Sequence, residues 1–144
     1  MRENIGLYRG KRKDNGEWVV GYYVIESNHP CYANQLKHTP FICRSEFVDG
    51  GNGGVCDFVR YEVDPETVGE YSGLPDINGR IIFEGDIMET AVSGITQNIG
   101  VVEFKSGSFG LMCADGNGLF LCFVNDNFAV IGNVHDNPEL LTNT

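Results

Sequence analysis

The sequence predicts a mainly β protein, in which an amino-terminal β module packs on a small carboxy-terminal antiparallel barrel, with one or two short helices. Glycine (19 residues), asparagine and aspartate divide the 144 residues into short apolar segments. These segments are rich in β-branched and aromatic residues, which favour strands. No long window repeats apolar residues at i, i+3, i+4 and i+7, the spacing of an amphipathic helix.

The amino-terminal elements begin with a predicted hairpin. Asp14-Asn15-Gly16 supplies turn residues between Leu7–Arg12 and Trp18–Ile25, so these two segments are expected to pair. Two further strands are expected in CYANQLKHTPFIC, which its proline interrupts, and in CDFVRYEV. Asp64-Pro65-Glu66 joins a capping residue to a proline at the first helical position, which predicts a short linking helix through about Glu70.

The carboxy-terminal half alternates strands with tight turns from Tyr71 onward. Its turns are Ile77-Asn78-Gly79, Ser106-Gly107 and Asp115-Gly116-Asn117-Gly118, an order that indicates an antiparallel meander able to close into a barrel. The tail Asn137-Pro138-Glu139 predicts a final helical turn. The expected division is therefore an amino-terminal module (1–63), a helical linker (64–70) and a barrel module (71–144), together forming one compact unit.

The segment GLFLCFV is apolar on both sides if it forms a strand. The amino-terminal module is expected to cover it, and the alternative is an interface between copies of the chain. Its two alternating sets are Leu119, Leu121 and Phe123 on one side, and Phe120, Cys122 and Val124 on the other.

Charge is distributed unevenly along the chain, whose net charge is −10. From residue 61 to the end there are thirteen acids, with only Arg80 and Lys105 as bases. This half would repel a phosphate backbone, which makes direct nucleic-acid binding by it improbable. Four of the basic residues cluster near the start and are expected to form a solvated surface or to pair with the acidic half. They are Arg9, Lys11, Arg12 and Lys13.

The sequence predicts a protein of the cytoplasm. No apolar run is long enough to span a bilayer, and the first residues lack the apolar stretch of a signal peptide. The cysteines are odd in number and include no CxxC pair, as expected of reduced, mostly buried thiols. They are Cys31, Cys43, Cys56, Cys113 and Cys122.

No cofactor or metal is expected. Structural zinc takes close pairs of ligands, and no such pair occurs among Cys31, His38, Cys43 and Cys56. A nucleophilic Cys–His pair lacks the local bases that would activate a thiol. The glycines of residues 50–54 precede a strand rather than a helix, so they indicate a hairpin tip and not a phosphate-binding loop.

Glu84 and Asp86 flank Gly85 and would share one face of an extended strand. Such a carboxylate pair could share a proton or hold a divalent cation. The structural alternative is favoured, in which Asp86 accepts hydrogen bonds from nearby amides and Gly85 supplies an unusual backbone angle. No histidine, lysine or third carboxylate stands at a telling distance nearby.

The segment YSGLPDINGRIIFEGDI, from Tyr71 to Ile87, resembles the YopX family of small proteins, which are encoded mainly by bacteriophages and prophages. Gly100–Phe104, Val130–Val134 and Asn137–Leu141 are similar to later parts of the family. The Gly85-Asp86-Ile87 start of a strand is also similar to small SH3-like barrels at the level of fold. The motif residues, which are expected to be structural, are Tyr71, Gly73, Leu74, Asp76, Gly79, Glu84, Gly85, Asp86, Gly132, Asn133 and Pro138.

The resemblance implies a mostly β phage or prophage protein and transfers no activity. The leading hypothesis is a non-enzymatic accessory protein that binds a host or phage protein, with a homo-oligomer possible and its acidic surface favouring basic partners. One alternative is a metal-dependent hydrolase that uses Glu84 and Asp86. Another is a nucleic-acid module that uses the basic segment from Arg9 to Lys13.

Overall fold

The computed structural model describes residues 6–27, 38–48, 53–94 and 96–142, and it confirms a mainly β fold. The described chain divides into two compact units, with the boundary between Val68 and Gly69. Among the described residues, no helix is long and apolar enough to cross a membrane. The predicted division into a module that ends at residue 63, a linker and a module that begins at residue 71 stays a prediction.

The amino-terminal unit contains four antiparallel strands in the order β4-β3-β2-β1. The predicted hairpin is confirmed: β1 pairs with β2 across the turn at Asp14-Asn15-Gly16, where Gly16 has a φ of +73°. A left-handed backbone angle of this kind is readily adopted by glycine. The strands are β1 (Leu7–Lys11), β2 (Trp18–Ser27), β3 (His38–Val48) and β4 (Val55–Glu62).

Pro40 does not interrupt a strand, contrary to the prediction, but lies inside β3 opposite Ile25 of β2. The ladder between β3 and β4 begins one residue later, with Phe41 opposite Glu62. The missing N–H of proline is therefore tolerated at this end of β3. The carbonyl of Pro40 accepts a hydrogen bond from the N–H of Val63 at 3.1 Å.

The linking helix is shorter than predicted. It is a 3-10 helix over Pro65–Thr67, and the side chain of Asp64 caps it by accepting a hydrogen bond from the N–H of Glu66 at 3.0 Å. The backbone is extended again from Val68, and β5 begins at Gly69. The cap at Asp64 was predictable from the sequence. The helix ends early because the chain enters strand β5 at Gly69.

The core of the amino-terminal unit lies on one face of its sheet. Val19, Ile42 and Val63 are fully buried there, and three tyrosines and Val68 pack around them. An isolated bridge between Arg12 and Val63 ties the segment after β4 back to the end of β1. This tie holds the segment that covers the core.

The carboxy-terminal unit contains one hairpin and one five-stranded antiparallel sheet, in the order β10-β9-β8-β7-β11. The meander from β7 to β10 occurs as predicted, but in the described chain no sheet closes, so the SH3-like barrel is not confirmed. The sheet stays open because its two edge strands, β10 and β11, do not pair with each other. The hairpin is β5 (Gly69–Pro75) with β6 (Ile81–Phe83), and the sheet strands are β7 (Asp86–Thr90), β8 (Ile99–Lys105), β9 (Ser108–Cys113), β10 (Gly118–Phe120) and β11 (Phe128–Asn133).

The strand predicted in GLFLCFV is wrong beyond its third residue. β10 ends at Phe120 and a single helical turn, α1 (Leu121–Val124), follows. The turn buries Leu121 in the core and leaves Phe123 77% exposed, so the two residues do not share a face. The helical turn lies in the connection that carries the chain from β10, at one edge of the sheet, to β11 at the other.

The core of this unit lies between the sheet and α1, and the tail ends in the predicted helical turn. That turn is a 3-10 helix over Pro138–Leu141. The buried core residues are Ile82, Met88, Val102, Leu111, Cys113, Leu121, Phe128 and Val130.

Candidate functional site

Aromatic side chains collect on the face of the amino-terminal sheet that lies opposite its core. Alternate residues of a strand point to one face, so the register between strands decides which side chains share it. Tyr22 of β2 lies opposite Cys43 of β3, and Phe58 of β4 lies opposite Ser45 of β3. The five aromatic residues on this side, here called the aromatic face, are Trp18, Tyr22, Phe41, Phe47 and Phe58.

Three rings of the aromatic face are largely open to solvent. The exposed fraction is 52% for Tyr22, 62% for Phe58 and 70% for Phe47, and the other two rings are half-buried. An antiparallel sheet with one buried face normally presents polar residues on its other face. Large exposed apolar area on such a face is typical of an interaction site.

Cations near the aromatic face contact its rings. Arg60 forms an ion pair with Glu26, and its guanidinium lies 4.5 Å from the centre of the Phe41 ring. The Nζ atom of Lys11 lies 5.4 Å from the centre of the Trp18 ring. These contacts hold the rings in place and engage the cations within the unit.

The predicted basic cluster lies along β1 and in the turn that follows. Arg9 is buried, and its guanidinium contacts the same indole ring as Lys11. Arg12 pairs with Asp14 at 2.6 Å, and this hydrogen bond holds the pKa of Asp14 below its usual value. The Nζ atom of Lys13 lies 3.3 Å from a carboxylate oxygen of Glu62. Most of the cluster therefore faces rings and acids of its own unit.

A polar network lies on the opposite side of the same sheet, around Tyr61. The Tyr61 hydroxyl donates to both oxygens of Glu46, at 2.8 and 2.9 Å, and Arg44 donates to one of them at 2.6 Å. The hydrogen bond to the carboxylate raises the pKa of Tyr61 and lowers that of Glu46. Because both oxygens of Glu46 already accept hydrogen bonds, this carboxylate is poorly placed to act as a base.

Glu84 and Asp86 do not lie in one extended strand. Glu84 and Gly85 form a two-residue turn between β6 and β7, and Gly85 has a φ of +91°. Asp86 is 1% exposed, and its Oδ2 atom accepts a hydrogen bond from the N–H of Phe83 at 2.8 Å. The N–H of Gly85 donates to the carbonyl of Val102 at 2.8 Å. These contacts make the segment a corner of the fold.

Within the described ranges, no group of three or more His, Cys, Asp or Glu side chains is placed to hold a metal ion. The carboxylate pair therefore has no third ligand there. Of the residues considered for zinc, Cys43 is buried and Cys56 is exposed. Cys31 and residues 49–52 of the predicted glycine-rich tip lie outside the described residues.

The aromatic face was not predicted from the sequence. Both alternating sets of β2 are apolar, so alternation alone does not show which set is covered, and the phenylalanines come from other strands. Two glycines in the strands do indicate which face is covered, because a glycine inside a strand marks a place where another part of the chain approaches its backbone closely. A Cβ atom at Gly10 would lie 3.1 Å from Val63, and one at Gly21 would lie 2.3 Å from the carbonyl oxygen of Cys43. Both glycines mark the covered face.

Comparison with known proteins shows a family match and similarity to solved structures. The family model described as YopX protein matches residues 7–142. The crystal structure of protein EF1440 from Enterococcus faecalis is similar with a TM-score of 0.57 and 21% identity, covering 93% of this chain and 96% of that chain. At that identity the likeness shows the fold alone. No curated protein matches the chain.

Proposed function

The chain belongs to the YopX family, and we propose that it is a binding protein that attaches to another protein through the aromatic face. It carries out no chemistry of its own in this proposal. The partner is a phage or host protein inside the bacterial cell, as the resemblance to phage and prophage proteins implies. The exposure of three aromatic rings on one sheet face supports the proposal.

The exposed ring area is large enough to contribute to an interface. A fully buried aromatic side chain covers about 150–250 Å², so the exposed parts of the five rings amount to roughly 400–500 Å². The largest apolar patch of a typical monomer is about 300–600 Å² and is often functional. A standard interface buries about 800 Å² on each partner, so the aromatic face would form the centre of one.

The charge around the aromatic face favours a protein partner over a nucleic acid. Residues 6–68 contain seven bases and nine acids, a net charge of −2. Arg60 is paired with Glu26, and Lys11 lies over the Trp18 ring. Nucleic-acid binding depends on cations that neutralise phosphates. An apolar surface with engaged cations suits the desolvated centre of a protein interface better.

Affinity capture from phage-infected or prophage-carrying cells tests the proposal, with the captured proteins quantified by mass spectrometry and then purified for calorimetry. The test variants are Tyr22→Ser and Phe58→Ser, and the matched control is Phe123→Ser, which removes an exposed ring in the other unit. Loss of one central ring is expected to weaken binding about 30-fold, as at a hot spot.

Two outcomes would refute the proposal. One is a partner that binds the Tyr22 and Phe58 variants as tightly as the unchanged protein. The other is a complex that nuclease treatment abolishes, which would assign the face to nucleic acid. Unchanged thermal unfolding of the variants shows that any loss of binding is not a loss of folding.

A further inference from the structure

A cleft of about 600 Å³ lies on the carboxy-terminal unit, where β7, β8, β11 and the final helical turn meet. It lies on the side of the sheet away from the core, because Met88 points into the core and the next residue, Glu89, points the other way. Ile99 lies directly opposite Glu89 on β8. The described residues that line the cleft all belong to the carboxy-terminal unit.

Two carboxylates stand on either side of Ile99 in this cleft. The carbonyl of Ile99 accepts a hydrogen bond from the N–H of Ala114, the residue before Asp115. Glu89 and Asp115 are therefore separated by two strand spacings, or about 10 Å between backbones. A group held above Ile99 lies between both carboxylates.

The two carboxylates differ in how they are held. Asp115 accepts hydrogen bonds from the backbone N–H of Asn117 at 2.9 Å, from its side-chain amide at 3.0 Å and from that of Asn98 at 3.3 Å. These bonds fix its orientation and lower its pKa, with those from Asn117 dominant. Among the described residues, Glu89 has no hydrogen bond or ion pair to its carboxylate, so its charge is uncompensated.

The remaining walls of the cleft are apolar or neutral. Ile131 and Leu140 line one side, and no lysine, arginine or histidine is among the described residues that line the cleft. Residues 69–142 contain ten acids and only two bases, Arg80 and Lys105, neither of which lines the cleft. In the part of the chain that the structure describes, the cleft thus joins an apolar wall to two carboxylates without a cation.

We propose that this cleft binds one alkylammonium or alkylguanidinium group, the chemistry of a lysine or arginine side chain or of a free alkylamine. The charged head lies above Ile99 between Glu89 and Asp115, and the alkyl stem packs on Ile131 and Leu140. A single divalent ion is disfavoured, because such an ion takes six or more oxygen ligands and the described residues add no third acidic, cysteine or histidine side chain to these two. The site is independent of the aromatic face, which belongs to the other unit.

Titration of the ¹⁵N-labelled full chain, followed by NMR, tests the site with two isosteric probes. N-butylguanidinium carries the charge and the stem, and N-butylurea has the same shape without the charge. The expected result is a saturable shift of the Asn98, Ala114 and Ile131 amides with N-butylguanidinium, at millimolar affinity for so small a probe. Increasing salt is expected to weaken it.

The test variant is Glu89→Gln, and Glu103→Gln is its control because Glu103 is an exposed acid of the same unit outside the cleft. The Glu89 change is expected to weaken binding about fivefold, as for one partly exposed ion pair, and the control to leave it unchanged. Equal binding of N-butylurea, equal effects of the two variants, or the absence of saturable shifts would overturn the proposal.

A peptide arm distinguishes the two sources of the cation. Binding of acetyl-Gly-Arg-Gly-amide at the same amides, with affinity equal to that of N-butylguanidinium, supports a side chain of a protein partner. Exclusion of the peptide while N-butylguanidinium still binds supports a free small cation. Neither result depends on the aromatic face, so variants at Tyr22 and Phe58 bind both probes unchanged.

Discussion

Replacement of Asp86 by asparagine separates a structural role of the Glu84-Gly85-Asp86 corner from a chemical one. If the corner serves the fold, Asp86→Asn destabilises the protein and Glu84→Gln does not. If the two carboxylates act together on a metal or a proton, both changes abolish that activity while stability is kept or improved, since functional groups are often held at the expense of stability. The two roles therefore predict opposite patterns.

The magnitude follows from the surroundings of Asp86. Its Oδ2 atom accepts a hydrogen bond from the buried N–H of Phe83, and its Oδ1 atom is also buried. A bond to a charged acceptor is worth about 1.5–3 kcal/mol against about 1 kcal/mol for a neutral one. The asparagine also places two donors in a position built for an acceptor, at roughly 1–3 kcal/mol. We expect the free energy of unfolding to fall by about 2–4 kcal/mol.

Differential scanning calorimetry is the appropriate assay. Tryptophan fluorescence would report on the wrong unit, because the single tryptophan, Trp18, belongs to the amino-terminal unit. For a chain of this length the expected loss corresponds to a fall in Tm of about 10 °C. Glu84, which is partly exposed, is expected to change stability by less than about 1 kcal/mol when replaced by glutamine. An Asp86→Asn protein as stable as the original would refute the structural account.

Three further predictions concern α1 and the cysteines. Leu121→Ala is expected to lower the free energy of unfolding by about 3 kcal/mol, and Phe123→Ala by less than about 0.5 kcal/mol, as measured by urea unfolding. Equal losses would mean that the two side chains share one face, as in the predicted strand. In the native protein, Cys56 is expected to react with iodoacetamide quickly and Cys113 only on unfolding, and rapid labelling of Cys113 would contradict its burial. Burial, followed by the charge of Asp115, raises the pKa of Cys113. As the pH rises, this thiol therefore loses its proton in the unfolded chain before it does so in the folded protein. Stability is therefore lost as pH rises through the alkaline range, and less so in Cys113→Ala.

Alternation of apolar residues was a good guide to strands and a poor guide to their ends. It located β2 and β4, but it extended β10 through Val124, whereas the chain forms a helical turn from Leu121 onward. It also left the aromatic face unseen, because Tyr22 and Tyr23 are equally apolar neighbours in the sequence. Only the pairing of β2 with β3 places Tyr22 on the open side and Tyr23 against the core.

The sequence by itself determined the turns, the cap at Asp64 and the family. Ser106 and Gly107, for example, both adopt positive φ angles, of 55° and 82°, in the two-residue turn that their residue types predict. Such preferences act between neighbours and need no distant partner. The open sheet, the aromatic face and the placement of Glu89 and Asp115 in one cleft were decided by the tertiary structure. Each depends on the register between strands far apart in the chain, which burial of the whole sheet sets and no local pattern contains.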